Sequence, residues 1–257
     1  MHVILLTLYL YMSLSASARS PLKLDIYTES ALELQKVEDG VLTGFSVELV
    51  RLILANSRLD GEIKLLPWAR AYKYTLNRRN VLLFSTRRTP QREPLFIWAR
   101  PLFPDGFTPW YDSQSFTLIC SKQSMLQTHT LEQAQHYFLG VQRSGYSEDL
   151  ARNILMWPAE KIVPGKNFVD SFLYLKTKKI DLILTSEAEW RTIVRQHKID
   201  SDLFKVCLDI DFNHSPFYFV FNRSTSQAIV DAFNHSFDTL LQQGQYRKLY
   251  QQWSRKH

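Results

Sequence analysis

The sequence of 257 residues contains little glycine, little proline and almost no cysteine. With 8 glycines, 10 prolines and 45% hydrophobic residues, it falls outside the composition of disordered and fibrous proteins and can bury a full core. Its 2 cysteines form no CxxC pair and no cluster with histidine, so neither a metal nor another cofactor is expected. A basic tract and a glycine-rich phosphate loop are also absent. Nucleic acid is therefore not an expected partner, despite a net charge of +6.

Long hydrophobic runs are missing from the sequence except at the N-terminus. There, an apolar run extends from Val3 to Leu14, and the small residues Ala16-Ser17-Ala18 follow it. This pattern predicts a signal peptide over residues 1–18 that is cleaved on export to the periplasm. No Lys or Arg precedes the run, so an uncleaved anchor or a longer true start is the alternative. The run is shorter than the roughly 18 residues that cross a bilayer, which favours the signal peptide.

Export matters for Cys120 and Cys207, because an oxidising compartment permits a disulfide. Each cysteine lies in an apolar, strand-like run, FTLICSK or FKVCLDI, and this setting favours two buried free thiols. The sequence does not show whether their Cα atoms come within bonding distance. The pairing therefore stays open at this point.

Strand-like and helix-like segments alternate along the chain. Residues 22–28 alternate apolar and polar side chains as a strand does, and residues 43–57 repeat apolar side chains at helical spacing. The same alternation resumes after an irregular stretch from Pro101 to Gln114, which is rich in proline and aromatic residues. The pattern predicts an α/β protein with mostly parallel sheets and a second α/β lobe.

Five segments of the sequence form an ordered series of motifs, namely residues 39–53 (DGVLTGFSVELVRLI), 84–93 (FSTRRTPQRE), 139–150 (LGVQRSGYSEDL), 178–184 (KKIDLIL) and 240–253 (LLQQGQYRKLYQQW). In this order they resemble the motifs of the bacterial extracellular solute-binding proteins of family 3, and the resemblance covers nearly all of residues 22–254. A further segment, PWARAY at residues 67–72, resembles a branch of transporter-associated binding proteins with a Pro-Trp-x-Arg-Ala signature.

This resemblance implies a type II periplasmic-binding-protein fold, in which two α/β lobes joined by two crossover strands close on a ligand. Lobe 1 is expected to comprise residues 19–113 and 214–257, and lobe 2 residues 114–213. The implied function is that of a monomeric binding protein without enzymatic activity. It would capture an amino acid or another small carboxylate and deliver it to a membrane ABC permease.

The resemblance also implies which lobe 1 residues bind the ligand. Arg92 holds the place of the arginine in the family's Thr-x-x-Arg motif, whose planar guanidinium grips the ligand carboxylate, and Ser85 belongs to the same motif. Arg87 either adds a second cationic contact or narrows the site. Trp68 stands where relatives place an aromatic ring against the ligand, although core packing is an equally common role for tryptophan.

In lobe 2, Ser144, Gly145 and Tyr146 open a predicted helix, whose free N–H groups and dipole favour an anion. An ordinary turn is the alternative. The aspartate that pairs with the ligand ammonium in relatives is replaced by Ser186, and the adjacent Glu187 is a possible substitute or a solvated carboxylate at a helix start. The family's aromatic wall is missing too, so the ligand is an amino acid, a peptide-like compound or another small carboxylate.

Two other functions remain as alternatives. A dehydratase-type enzyme occurs on the same fold, and Glu33, Glu187 or His214 would then serve as acid or base. No pair of these residues has a diagnostic spacing, which favours binding. A ligand-sensing domain without transport is the second alternative.

Overall fold

The computed structural model describes residues 20–31, 34–110, 116–126, 128–210 and 216–255. The predicted signal peptide, residues 1–18, lies outside these ranges. Among the helices within them, none is both long enough and apolar enough to cross a membrane.

Strands and helices alternate along the chain, as the sequence patterns predict. Residues 20–110 contain β1 (Leu22–Lys23), β2 (Asp25–Thr28), β3 (Lys36–Glu38), β4 (Val41–Thr43), α1 (Phe45–Ala55), β5 (Leu59–Asp60), β6 (Ile63–Leu65), α2 (Trp68–Asn77), β7 (Val81–Arg87) and β8 (Phe96–Pro101). Residues 116–210 contain β9 (Phe116–Ser121), α3 (Leu131–Ala134), β10 (Leu139–Gln142), α4 (Tyr146–Asn153), β11 (Ile162–Gly165), α5 (Phe168–Lys176), β12 (Leu182–Ser186), α6 (Glu187–Gln196) and β13 (Phe204–Ile210). Residues 216–255 contain β14 (Phe217–Asn222), α7 (Gln227–Gln242) and α8 (Gln245–Ser254).

The longer strands form two five-stranded sheets. The first has the order β6-β2-β7-β14-β8, in which β2 runs parallel to β6 and β7, and β14 runs antiparallel to β7 and β8. The second has the order β11-β10-β12-β9-β13, in which β10 runs parallel to β11 and β12, and β9 runs antiparallel to β12 and β13. We call the body built on the first sheet lobe 1 and the body built on the second sheet lobe 2.

Helices cover both faces of each sheet, and this explains the continuous apolar runs in the central strands. In β7, Leu82 and Phe84 pack into a cluster with α1, α7 and α8, whereas Val81 and Leu83 face a second cluster with α2. In lobe 2, Leu182 and Ile183 of β12 divide in the same way between two clusters. Each sheet is therefore a middle layer between helices.

Helix α1 starts at the Gly-Phe pair of the first motif. Gly44 has a φ of 122°, and a Cβ at this position would lie 2.4 Å from the carbonyl oxygen of Leu34. That oxygen accepts a hydrogen bond from the N–H of Ser46, 3.1 Å away. The close approach and the positive φ both require glycine, which anchors the helix beside the end of β2.

The chain passes from lobe 1 to lobe 2 between β8 and β9, and it returns between β13 and β14. The predicted lobe boundaries, at residues 113–114 and 213–214, fall in the segments 111–115 and 211–215, which lie outside the described residues. The positions at which the lobes end therefore stay a prediction.

Cys120 and Cys207 form a disulfide between neighbouring strands of lobe 2, so the interpretation as free thiols is wrong. Their Cα atoms are 5.9 Å apart, although 87 positions separate them in the sequence. Cys120 lies in β9 and Cys207 in β13, where the register shifts between Val206 and Leu208. The sequence could not reveal this pairing, because the two strands become neighbours only when the sheet assembles.

Replacing both cysteines by alanine should lower the free energy of unfolding by about 2 kcal/mol, because the crosslink restricts the unfolded chain. This figure is the low end of the usual range, since measured gains often fall below those expected from loop length. Urea denaturation of the two proteins without reductant gives the difference. Reductant should then destabilise the wild type and leave the variant unchanged. A wild-type protein that is equally stable with and without reductant would contradict the prediction.

Candidate functional site

A pocket lies between the lobes, where several strands end. Glu29 follows β2, and Ser85 lies near the end of β7; in lobe 2, Gln142 ends β10 and Ser186 ends β12. All four line a cavity of about 80 Å³, which we call the inner pocket. Open α/β sheets bind ligands at the carboxyl ends of their strands, so this pocket is the candidate ligand site.

The inner pocket brings together most of the predicted site residues. Ligand contact by each of them stays a prediction. Ser144, Gly145 and Glu187 are not among the described residues that line the pocket. The predicted residues that do line it are Trp68, Ser85, Arg87, Arg92, Tyr146 and Ser186.

Arg92 lies at the junction of the two lobes with only 2% of its surface exposed. Its Nε atom is 2.6 Å from Oδ2 of Asp149 in α4, and its Nη2 donates to the carbonyl oxygen of Ser144 at 3.1 Å. Burial raises the pKa of the Asp149 carboxyl, and the charge of Arg92 opposes this shift. Arg92 therefore lines the pocket and also pairs lobe 1 with lobe 2.

Trp68 begins α2 and makes a second contact between the lobes. Its indole Nε1 donates to the same carbonyl oxygen of Ser144 at 2.6 Å. Its ring lies 5.5 Å from the guanidinium carbon of Arg92, within the range of a cation–π interaction. The tryptophan is 4% exposed and packs in a lobe 1 cluster, so the core role weighed from the sequence is present, and contact with the ligand stays a prediction.

At the start of α4, two of the three residues of the predicted anion site have partners for their N–H groups. The N–H of Ser144 donates to Oε2 of Glu148 at 2.7 Å, and the N–H of Gly145 donates to the carbonyl of Gln142 at 2.9 Å. Ser144 also contributes its carbonyl oxygen to Arg92 and Trp68. The motif thus forms a contact between the lobes, and anion binding by it stays a prediction.

Arg87 supplies a second guanidinium to the inner pocket, from the last residue of β7. Its side chain is buried, with the guanidinium carbon 4.2 Å from the centre of the Phe217 ring and 5.2 Å from that of Tyr146. Burial raises the pKa of the Tyr146 hydroxyl, which keeps the phenol neutral. Two guanidinium groups therefore line one small pocket, and that of Arg92 is paired with Asp149.

Ser85 lies where the ladder between β7 and β14 is irregular. Its φ is 60°, an uncommon value for a residue other than glycine, and the register shifts between Tyr218 and Val220 of the partner strand. The Ser85 hydroxyl accepts a hydrogen bond from Gln35 and lies 3.3 Å from the hydroxyl of Ser46. Such irregularities re-aim side chains next to functional sites.

Glu29 is a carboxylate of lobe 1 that contacts lobe 2 directly. Its Oε2 accepts a hydrogen bond from Nε2 of Gln142 at 2.7 Å. Burial, and then the charge of Glu189, raise the pKa of Glu29 to about 8, although Gln142 and Arg92 favour the ionised form. Because burial makes this carboxyl costly to ionise in the free pocket, a cationic partner would strongly stabilise its ionised form.

Glu189 is the lobe 2 carboxylate that sequence reasoning missed. It lines the inner pocket, and burial raises its pKa even though Thr185 donates a hydrogen bond to its Oε2 at 3.0 Å. The predicted substitute, Glu187, instead pairs with Arg191 one turn along α6. Ser186 caps α6, and its hydroxyl accepts a hydrogen bond from the N–H of Glu189 at 3.2 Å. The Ser-x-x-Glu spacing is typical of an ordinary helix start, so the sequence did not single out Glu189 as a site residue.

Of the residues proposed from the sequence for an enzyme, Glu187 alone belongs to the described part of the chain, and it is not among the described residues that line the inner pocket. Glu33 and His214 lie outside the described residues. Glu187 is bound to Arg191, as above. The described titratable carboxyls of the pocket are Glu29 and Glu189.

Two lobes that enclose a charged pocket at the ends of their strands define a two-lobed ligand-binding protein of the type II periplasmic-binding fold. The sequence profile of the bacterial extracellular solute-binding proteins, family 3, matches residues 27–256. The chain therefore belongs to this family, which confirms the resemblance and the fold class drawn from the sequence motifs. A search of curated protein sequences finds no relative.

Solved structures agree on the fold. An ancestral arginine-binding protein bound to arginine superposes with a TM-score of 0.68 at 18% identity, covering 90% of this chain and 97% of the other. The arginine-, lysine-, histidine-binding protein ArtJ from Geobacillus stearothermophilus gives 0.69 at 16% identity, covering 90% and 95%. The substrate-binding protein of an amino acid ABC transporter gives 0.67 at 18% identity, covering 90% and 98%.

Proposed function

We propose that this protein binds a small ligand that carries both a carboxylate and a cationic nitrogen, namely an amino acid or a related compound. The observation that carries this proposal is the presence of guanidinium and carboxyl groups together in the inner pocket. Arg87 and Arg92 suit a carboxylate, and Glu29 and Glu189 suit an ammonium group, whose charge favours their ionised forms. A ligand with both groups pairs with each set, and a ligand with a single charge pairs with only one of them.

Contacts from both lobes support capture by closure. Glu29 of lobe 1 is bonded to Gln142 of lobe 2, and Arg92 of lobe 1 is paired with Asp149 of lobe 2. A ligand that touches both carboxylates stabilises the closed arrangement, as in other hinge-closing proteins. Lobe 1 would comprise residues 19–113 and 214–257, and lobe 2 residues 114–213.

Family membership supports a role in uptake. We propose that the protein is exported to the periplasm by its signal peptide, acts as a monomer and delivers its ligand to a membrane ABC permease. Structures of similar fold include arginine-binding proteins and the substrate-binding protein of an amino acid ABC transporter, which is consistent with an amino acid cargo.

The test uses the purified protein without residues 1–18 and a thermal-shift screen of amino acids. The best binder is then compared by calorimetry with its decarboxylated amine and its deaminated acid. The amino acid should stabilise the fold by about 2.7 kcal/mol at a hundredfold excess over Kd, and both analogues should bind far more weakly. An analogue that binds as tightly as the amino acid would overturn the two-charge proposal.

A dehydratase-type enzyme is the second candidate, because a carboxyl with a pKa of about 8 in a cleft is suited to acid–base chemistry. The same preparation distinguishes the two functions. A binding protein returns its ligand unchanged after prolonged incubation, as judged by mass spectrometry. Conversion of the ligand that disappears in Glu29→Gln would establish the enzyme.

A further inference from the structure

A second cavity adjoins the inner pocket between the two lobes, and we call it the outer chamber. Its volume is about 320 Å³, against about 80 Å³ for the inner pocket. Residues of both lobes line the two cavities together, so the cavities are direct neighbours. The shared residues are Glu29, Ala31, Trp68, Gln142, Phe168 and Glu189.

The carboxylates Glu29 and Glu189 thus stand where the inner pocket meets the outer chamber. The two arginines line the inner pocket and are not among the described residues of the outer chamber. Both charged groups of an α-amino acid are attached to Cα, so a head held between the arginines and the carboxylates places Cα near the shared residues. The outer chamber is then the neighbouring space into which a side chain can extend.

Beyond the shared residues, several apolar side chains line the outer chamber. Leu65, Leu66 and Pro67 line it from lobe 1, and Val169 and Ile193 line it from lobe 2. Neutral polar side chains, among them Thr192 and Gln196 of α6, complete this part. Burying an apolar chain against such surfaces is favourable, whereas a short polar ligand gains nothing there.

We propose that the outer chamber binds an extension of the ligand with an apolar stem, so that the protein selects long ligands over short ones with the same charged head. This inference rests on the proposed function, which places the head in the inner pocket. It adds a subsite in which chain length, rather than charge, determines affinity.

Glycine and L-norleucine are suitable probes, because they share the charged head and differ by an unbranched apolar chain. Calorimetry should show that norleucine binds at least about tenfold more tightly than glycine. Thr192→Trp should remove most of this difference, since Thr192 lines the outer chamber but not the inner pocket. Glycine affinity should stay unchanged in this variant.

Arg195→Trp is the matched control, because Arg195 is exposed on the same helix and lines neither cavity. Gln196→Trp is a second variant from an exposed residue that does line the chamber, in case Thr192→Trp fails to fold. Equal affinities for glycine and norleucine, or norleucine binding that neither chamber variant changes, would overturn the outer-chamber inference alone. Failure of every amino acid to bind would overturn the proposed function and this inference with it.

Discussion

Arg92→Ala is expected to weaken ligand binding by roughly 30-fold or more. In the proposed binding mode the buried guanidinium pairs with the ligand carboxylate, so its removal leaves that carboxylate desolvated with Arg87 as its remaining cationic partner. Such a loss costs about 2 to 5 kcal/mol, and each 1.4 kcal/mol is about tenfold in affinity. Arg92→Lys should recover part of the affinity, because an ammonium keeps the charge but loses the planar fork. Calorimetry with the ligand found by screening measures both changes.

The same substitution should also lower stability, by about 1 to 3 kcal/mol, because Asp149 and the carbonyl of Ser144 lose their partner. An arginine that only faced the cleft would affect stability little, but Arg92 is 2% exposed and bonded to lobe 2. Thermal unfolding of the ligand-free variant measures this effect.

Two further variants separate binding from contact between the lobes. Asp149→Asn removes the charge of the partner but leaves the arginine at the pocket, so it should cost less affinity than Arg92→Ala. Arg88→Ala changes a neighbouring arginine that is exposed and bound to Glu93, and it should leave affinity unchanged. Near-wild-type affinity in a well-folded Arg92→Ala variant would contradict the carboxylate role of Arg92, and Arg87 would become the next candidate.

Ligand affinity should rise steeply with pH, by about fiftyfold between about pH 6 and pH 8. Burial and the charge of Glu189 raise the pKa of Glu29 to about 8, so the free protein holds a proton that a cationic ligand must displace. Each pH unit below that pKa then costs up to about 1.36 kcal/mol of binding. The groups facing Glu29 are Glu189, Gln142 and Arg92, and the last two oppose the shift without cancelling it.

The ligand-free protein should show the opposite trend. The folded state binds more protons than the unfolded chain between the ordinary pKa of 4.5 and about 8, so stability falls as pH rises through this range. Calorimetry and thermal unfolding across the range, with a ligand whose nitrogen stays protonated, test both trends. Glu29→Gln should flatten the rise in affinity, and Glu187→Gln, outside the pocket, should keep it. A flat profile in the wild type would show that Glu29 does not meet the cation.

Local patterns in the sequence predicted much of the fold. The alternation of apolar residues predicted strands and helices that alternate along the chain, as the structure has them. Within the last motif, Gly244 follows α7 with a φ of 73°, the left-handed conformation that glycine adopts without strain. These features depend on neighbours within one or two turns, and such neighbours are visible in a sequence.

Contacts between distant elements could not be predicted in the same way. The partner of Arg92, Asp149, lies in the other lobe, and its place in the site follows from how the lobes meet. Glu189 was missed because its spacing from Ser186 is explained by helix capping alone. The predicted position for the ammonium partner at Glu187 was therefore two residues from the carboxylate that lines the pocket.

The place of β14 in lobe 1 has a consequence for how the protein is made. β14 lies between β7 and β8, so the first sheet lacks an inner strand until residue 222 has left the ribosome. Lobe 2 draws its whole sheet from residues 116–210 and can complete it earlier. During synthesis the second lobe is therefore able to fold first, while β7 and β8 keep open edges that need protection from aggregation.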